Sequence, residues 1–169
     1  MKTLLASNPN IETHFLGVGE GRIFRQPTLS QTVLGSCVSV TFHCPRLELG
    51  GITHALMPVW SDYESRMDES VRYKFVDSGI EGIYELFANQ GARLAEIECK
   101  VFGGATSSFI SQLSVAQKNV KTAFETLTRL KLRIAASHVG GSQGRKLFFF
   151  SNSGDVFVKY LKTMNNNCK

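Results

Sequence analysis

The stretch TVLGSCVSV, residues 32–40, is the pattern around which we interpret the rest of the sequence. A Gly-Ser bend directly precedes Cys37, and an alternating run of apolar and polar residues follows it, as in a half-buried strand. A second short strand pattern, GGITHALMP at residues 50–58, contains His54. Two neighbouring strands joined by a turn around Pro45 would bring Cys37 and His54 side by side. A cysteine and a histidine that the fold brings together can act as a thiol nucleophile and its base.

Length and composition are those of one ordinary globular domain. The chain has 169 residues, of which 43% are hydrophobic and 20% are charged, enough to bury a core. Its net charge of +5 would suit an acidic partner, but we favour the simpler interpretation of a solvated surface of mixed charge. No Lys/Arg run is interleaved with aromatic residues, so we expect no nucleic-acid binding. No stretch is long enough to cross a membrane and the N-terminal apolar run is too short for a signal peptide, so we expect a cytoplasmic protein.

The remaining periodicities predict strands near both ends of the chain and two helices. The predicted strands comprise residues 15–19, 22–25, 32–42, 49–57, 97–102, 132–136, 146–150 and 156–160. The first two are expected to form one hairpin, and the last two another, around a Ser-Gly-Asp turn. We expect a leader at residues 1–13, one domain at 14–164 and a polar tail at 165–169. Strands grouped around two helices favour an α+β domain over a doubly wound parallel sheet.

Each predicted helix has one apolar face and a recognisable end. The first runs from Tyr73 to a cap at Gly91, and the second begins with a capping box at Ser114 and Gln117. The expected buried face of the first is Val76, Ile80, Ile83 and Phe87. That of the second is Ala116, Val120, Ala123, Phe124, Leu127 and Leu130. Glycines at 79 and 82 in the first helix predict close approach to a sheet.

Three loops stand out between these elements. The polar connection from Pro58 to Asp68 is long enough to form the rim of a site. The Gly-rich loop at residues 140–145 matches neither a dinucleotide-binding fingerprint nor a P-loop, so it predicts a structural turn. The Gly-Gly-Ala sequence at 103–105 follows a strand and is expected to bring backbone close to the pocket.

The cysteines do not form a metal or disulfide pattern. They are Cys37, Cys44, Cys99 and Cys168. No CxxC or paired spacing occurs among them, so reduced thiols are expected. His43 beside Cys44 offers two metal ligands without a third, and Pro45 indicates a turn there instead.

Cys37 is either a small buried apolar residue or a nucleophile. The bend before it exposes backbone amides that suit an oxyanion, which favours the second interpretation. A free thiol is mostly protonated at neutral pH, so a nucleophile needs a base, and His54 is the best candidate. Thr32 and Thr53 are the nearest hydroxyls in sequence, and either one would suit the third position, which orients the imidazole.

Six motifs in order resemble the CheD family. They are LGSC (34–37), GGITHALMP (50–58), RMDESVRYKFVDSGIEGIYELFANQGA (66–92), KVFGGA (100–105), HVGGSQGRKLFF (138–149) and GDVFVK (154–159). The resemblance implies mixed β-sheets covered by two main helices, similar to the catalytic domain of deamidating bacterial toxins. It also implies Cys37 as nucleophile, His54 as base and Thr32 as the third residue, with Gln31 one position further from the cysteine. The chain departs from the family pattern at residues 106–108.

The resemblance further implies an activity and partners. CheD proteins deamidate glutamine side chains of methyl-accepting chemotaxis receptors to glutamate, releasing ammonia, through a thioester and without a metal or organic cofactor. A CheC-like phosphatase is the implied second partner. Two alternatives stay open at this point: a receptor- or CheC-binding adaptor with little turnover, and a thiol methylesterase acting on receptor glutamate esters.

Overall fold

The computed structural model of the chain describes Ala6 and residues 11–62, 69–106 and 114–162. Within them the strands are β1 (Glu12–Phe15), β2 (Glu20–Phe24), β3 (Thr28–Leu34), β4 (Val38–Cys44), β5 (Leu49–His54), β6 (Glu98–Gly103), β7 (Arg133–Val139), β8 (Arg145–Phe150) and β9 (Val156–Tyr160). The two long helices are α1 (Val76–Asn89) and α2 (Val115–Arg129). Short 3-10 helices cover Pro45–Leu47, Trp60–Asp62, Glu69–Lys74 and Leu94–Glu96.

The strands form two mixed sheets. The four-stranded sheet has the order β1-β3-β8-β9, and the five-stranded sheet has the order β2-β5-β4-β6-β7. The β1–β3 and β6–β7 pairs are parallel, and the other neighbouring strands are antiparallel. The predicted α+β class is therefore confirmed, with two mixed sheets and two helices.

The central strand β4 separates two apolar layers. Its alternate residues Val38, Val40 and Phe42 are fully buried in a cluster that includes the apolar faces of α1 and α2. The opposite face of the five-stranded sheet packs against the four-stranded sheet, where Phe102 meets Phe149 and neighbouring apolar residues. Both faces of β4 are covered, which explains why all seven of its residues are buried.

The predicted helix signals are confirmed. The four apolar positions of α1 are buried, and Gly91 follows the helix with a φ of +81°. In α2 the side chain of Ser114 accepts from the Gln117 amide, as the capping box requires. The expected apolar face of α2 also packs on the core, with Val120, Phe124 and Leu130 only partly buried. The hairpin of β8 and β9 forms around Gly154 as predicted.

The glycines of α1 do not mark a tight approach to the sheet: Gly82 lies against another segment, and a Cβ at Gly79 would make only ordinary contacts. A Cβ at Gly82 would meet the Arg72 side chain, and one at Gly79 would lie 3.6 Å from the Tyr73 backbone. Both neighbours belong to the preceding 3-10 helix, although the Thr53 side chain of the sheet also lies 3.7 Å from the Gly79 position. Close contact of sheet and helix is instead made at Gly51, where a Cβ would lie 2.7 Å from Phe87.

Two strand predictions are wrong. The first two strands do not form a hairpin, because β1 belongs to the four-stranded sheet and β2 to the five-stranded one. The predicted single strand 32–42 is two strands, since β3 ends at Leu34 and β4 begins at Val38 in the other sheet. The bend at residues 35–37 turns the chain from one sheet to the other. The predicted turn around Pro45 between β4 and β5 is confirmed.

Several predicted boundaries fall partly outside the described residues. Strand β1 begins at Glu12, inside the expected leader 1–13, whose other residues are described only at Ala6 and from 11 onward. The expected rim connection includes the 3-10 helix Trp60–Asp62, but residues 63–68 lie outside. The expected tail 165–169 also lies outside. None of the described helices combines the length and apolar character needed to span a bilayer.

We predict that Gly50→Ala destabilises the fold. A Cβ at this position would lie 2.5 Å from the Cα and carbonyl oxygen of Ser151, and backbone cannot move aside as a side-chain end can. Overpacking of this kind lowers the free energy of unfolding by about 1–3 kcal/mol. Urea denaturation measures this difference. Gly35→Ala is the control, because nothing lies within 4 Å of its Cβ position. Equal midpoints for the two variants would contradict the prediction.

Candidate active site

A hydrogen bond joins the two sheets at Thr32 and His54. Thr32 lies on β3 of the four-stranded sheet and His54 ends β5 of the five-stranded sheet. The Thr32 Oγ1 and His54 Nδ1 atoms are 2.7 Å apart. Both side chains are almost fully buried, at 0% and 2% exposed, so the bond is shielded from water.

The partners of Thr32 define which ring nitrogen of His54 carries the proton. The Thr32 hydroxyl donates its single hydrogen to the Leu16 carbonyl at 2.8 Å. It can therefore only accept from the imidazole, which requires a hydrogen on Nδ1. The lone pair of the neutral ring is thus on Nε2, which is buried and has no hydrogen-bond partner among the described residues.

Strand register places Cys37 on the same face as His54. Val38 pairs with Ala55 in an antiparallel bridge, with N···O distances of 3.0 and 2.8 Å. Continuing that register puts Ser39 opposite His54 and Cys37 at the diagonal position two residues away. Diagonal neighbours on one face of a sheet are within reach of aromatic and long side chains, and the imidazole of His54 is such a side chain. Cys37 packs in the apolar layer between the sheets and is 9% exposed.

Burial keeps the candidate thiol and imidazole uncharged. It raises the pKa of the Cys37 thiol above 9.0, and the residue's own backbone N–H opposes that shift only in part. Burial also lowers the pKa of His54 below 6.5, outweighing the Leu16 carbonyl and the Glu20 carboxylate, which both raise it. Both shifts favour a thiol and a neutral imidazole over a thiolate–imidazolium ion pair at neutral pH.

A glycine turn at residues 103–105 supports the cysteine from the side. The Gly104 amide donates to the Cys37 carbonyl and the Ala105 amide donates to the Gly35 carbonyl, both at 2.8 Å. A Cβ at Gly103 would collide with the Cys37 carbonyl, and the φ of +107° there also requires glycine. The expectation that this turn brings backbone close to the pocket is confirmed.

The 140–144 loop in turn holds the glycine turn. Gly140 donates to the Gly103 carbonyl, and Thr106 donates to the Gly141 carbonyl. Both of these loop glycines have a φ of +74°, so the loop is the structural turn that the sequence predicts. Of the segment that departs from the family pattern, residues 107 and 108 lie outside the described part of the chain.

Two polar groups beside the candidate site were missed by the sequence analysis. Asn119 of α2 is fully buried, and its amide donates to two backbone carbonyls near Cys37. The signal that could have revealed it is a polar residue within the apolar face of α2.

The second group is Arg145, which is 1% exposed. Its guanidinium donates to the carbonyl and Nδ1 of His138 and to the Gly140 carbonyl, and it stacks on the Tyr160 ring. Nothing in the sequence singled out His138.

The other candidates from the sequence lie elsewhere. Thr53 points to the opposite face of β5, where its hydroxyl accepts from the Val40 amide, so it does not orient the imidazole. His43 contacts the Asn152 carbonyl between the sheets, whereas Cys44 faces the helices, so they do not converge on one ion. Across the described residues, no group of three or more His, Cys, Asp or Glu side chains could hold a metal.

A groove opens beside the 35–37 loop. It has a volume of about 360 Å³ and is lined by the glycine turn, the start of α2 and the loop before β8, including Ser36, Ala105 and Ala116. Most of the lining side chains are small.

Comparison with known proteins identifies the family. The family model described as CheD chemotactic sensory transduction matches residues 56–160. A protein of Oleidesulfovibrio alaskensis, named as a probable chemoreceptor glutamine deamidase CheD, is 42% identical over 158 residues, covering 89% of this chain and 74% of its own. The chain belongs to the CheD family.

Two further CheD relatives extend the similarity over nearly their whole length. The probable chemoreceptor glutamine deamidase of Maridesulfovibrio salexigens is 35% identical over 160 residues, covering 94% of its own length. A second such protein, of Geobacter sulfurreducens, is 36% identical over 160 residues, and the match covers 96% of its own length. Among solved structures, the hypothetical protein YfiH of Bacillus licheniformis has 14% identity and a TM-score of 0.46 over 73% of this chain and 50% of its own. That likeness is too slight to bear on the assignment.

We predict that His54 is neutral at pH 6.5 and carries its proton on Nδ1. The reasons are its burial and the donation of the Thr32 hydroxyl to Leu16. Nitrogen–proton correlation spectra of ¹⁵N-labelled protein across pH 4–8 would report both properties. The Thr32→Val variant, which removes one acceptor, is expected to broaden or shift the Nδ1–H signal. A proton on Nε2 would contradict the assignment.

Proposed function

We propose that this protein deamidates glutamine side chains of chemotaxis receptors to glutamate. The observation that carries the proposal is the Thr32–His54 hydrogen bond, which leaves a buried Nε2 lone pair, without a partner among the described residues, on the face that holds Cys37. That is the arrangement of a general base beside a thiol nucleophile. The printed names of the CheD relatives supply the substrate class.

Thioester formation begins from the neutral pair. As the Cys37 sulfur attacks the carboxamide carbon of a glutamine side chain, His54 Nε2 takes the thiol proton. The carbonyl π electrons move to oxygen, giving a tetrahedral oxyanion. The Cys37 backbone N–H suits this oxyanion, because apart from its own sulfur it has no acceptor among the described residues. The imidazolium then returns its proton to the amide nitrogen, the C–N bond breaks, and ammonia leaves.

Hydrolysis completes the cycle with the same groups. Water attacks the thioester carbon while His54 Nε2 takes one of its protons. The second tetrahedral intermediate expels the sulfur, which recovers the proton from the imidazolium, and a glutamate remains on the receptor. Thr32 holds the imidazole in the required tautomer and orientation throughout, as the third group of a triad does. No step in this sequence calls for a metal or an organic cofactor.

The family resemblance extends the proposal to partners and location. The substrate is a methyl-accepting chemotaxis receptor, a CheC-like phosphatase is a further partner, and the protein acts in the cytoplasm. The same resemblance relates the fold to the catalytic domains of deamidating toxins. The two sheets and two helices of this structure are compatible with that relation.

We predict that Cys37→Ala abolishes conversion of receptor glutamines while binding persists. Removing the nucleophile of a triad costs roughly 10⁶-fold in rate. The measurement is mass spectrometry of a receptor cytoplasmic fragment after incubation with either protein, with receptor binding followed separately. Cys99→Ala is the matched control, because Cys99 is buried on the helix side of β6.

The outcomes separate the proposed activity from its alternatives. Conversion of specific glutamines by wild type and by Cys99→Ala, but not by Cys37→Ala, supports the deamidase. Binding of the fragment without conversion by any variant would favour the adaptor. Release of methanol from a methylated fragment, with the glutamines unchanged, would favour the methylesterase.

We predict a broad pH plateau for kcat/KM. On the acid side, activity falls only as pH drops through the lowered pKa of His54, below 6.5, because the base must be neutral. On the alkaline side, the profile changes only above 9.0, where the raised pKa of Cys37 allows the thiol to ionise. Initial rates between pH 4 and 10 test this. An acid limb centred above 6.5 would contradict the burial of the base.

A further inference from the structure

Asn119 links the nucleophile loop to the strand that holds His54. It lies in α2 with 0% exposure. Its Nδ2 group donates to the Ser36 carbonyl at 3.1 Å and to the Leu56 carbonyl at 3.0 Å. Both hydrogens of one side-chain amide are thus used on two segments that are separate in sequence.

The bond to Ser36 controls a peptide unit of the proposed active site. The Ser36 carbonyl and the Cys37 N–H belong to the same planar peptide bond, so in its trans form they point in roughly opposite directions. Holding the carbonyl against Asn119 therefore aims the N–H away from α2. Donation to the carbonyl also polarises the peptide and strengthens its N–H as a donor.

The bond to Leu56 ties the same amide to the segment that follows His54. Leu56 follows His54 by two residues and is the register partner of Cys37 beyond the Val38–Ala55 bridge. The Asn119 amide therefore acts as a clamp between the chain that bears the thiol and the chain that bears the imidazole.

The remaining atom of the amide argues against a purely stabilising role. The Asn119 Oδ1 atom is buried and has no hydrogen-bond partner in the described part of the chain. An unsatisfied buried acceptor opposes folding. The two hydrogen bonds that Nδ2 donates are the favourable contribution of Asn119 to the structure.

We propose that Asn119 is a positioning residue that aims the Cys37 N–H at the oxyanion. The proposal rests on the proposed function in that it takes Cys37 as the nucleophile. It assigns no contact between Asn119 and substrate. Its specific consequence is that Asn119 matters for attack on a carbonyl carbon and much less for attack on a saturated carbon.

Two reagents separate these reactions on the full-length protein. With p-nitrophenyl acetate, the sulfur adds to the carbonyl carbon, an oxyanion forms, and p-nitrophenolate leaves as the acetyl thioester appears. With iodoacetamide, the sulfur forms a bond to the CH₂ carbon as the C–I bond breaks and iodide leaves, with no oxyanion. The thiol proton goes to His54 in both reactions.

We expect Asn119→Ala to slow acetylation of Cys37 by about 10–100-fold, within the range for loss of an oxyanion donor. Alkylation of the same thiol forms no oxyanion and is expected to change by less than about threefold, since the backbone bonds of the Val38–Ala55 bridge still hold the thiol beside its base. Thr126→Val is the matched control, since Thr126 is a buried polar residue two turns along α2 and is expected to change neither rate. Peptide mapping assigns both modifications to Cys37.

Parallel losses in both reactions, or no loss in either, would overturn the proposal. Near-UV circular dichroism establishes that each variant is folded. Where Asn119→Ala does not fold, the nearly isosteric and uncharged Asn119→Leu provides the test, because its side chain cannot donate to either carbonyl, and the same split is expected. A wild-type protein that is acetylated at Cys37 but converts no receptor glutamine would refute the proposed deamidase and leave the role of Asn119 intact.

Discussion

The hydrogen bond between Thr32 and His54 is the interaction on which the candidate site depends. It is buried, 2.7 Å long, and joins two different sheets. Because the Thr32 hydrogen is committed to the Leu16 carbonyl, the bond has one direction, and that direction leaves Nε2 free to act as a base. Any shift of one sheet against the other would break it. The packing of the two sheets is therefore part of the chemistry that we propose.

The 35–37 bend is the second constraint, because it carries the chain from β3 to β4. The same few residues that change sheets also present Cys37 to the inter-sheet layer. The bend is supported by backbone bonds from the glycine turn at 103–105 and by the Asn119 amide from α2. The glycine turn rests in turn on the 140–144 loop, which Arg145 anchors from its buried position. Three segments that are distant from Cys37 in sequence thus hold the backbone that carries the thiol.

The sequence was sufficient for elements with strong local signals. The capping box at Ser114, the cap at Gly91 and the apolar face of α1 depend on neighbouring residues, and all three are present. It was not sufficient for sheet membership. The alternation of apolar and polar residues through 35–37 is the same whether the strand stays in one sheet or enters another. The sequence therefore predicted one strand, 32–42, where the structure has two strands in different sheets.

The candidate site, too, was only partly predictable from the sequence. Cys37 and His54 were singled out because reactive side chains are recognisable by type. The residues themselves left Thr32 and Thr53 as equal candidates, and the family resemblance favoured Thr32. The physical reason needs the structure, since only the packing of the sheets shows which hydroxyl meets the imidazole. Asn119 was missed because its contribution comes from two carbonyl contacts that are 83 and 63 residues away in sequence.

The most direct test of the account is to trap the reacting thiol. A receptor fragment in which a chloromethyl ketone replaces the carboxamide of a target glutamine should alkylate the protein once, with loss of chloride, as shown by intact mass and peptide mapping. We predict that the adduct forms on Cys37 and that His54→Ala slows its formation. An adduct on another cysteine, or a Cys37 adduct whose rate is indifferent to His54, would contradict the central claim.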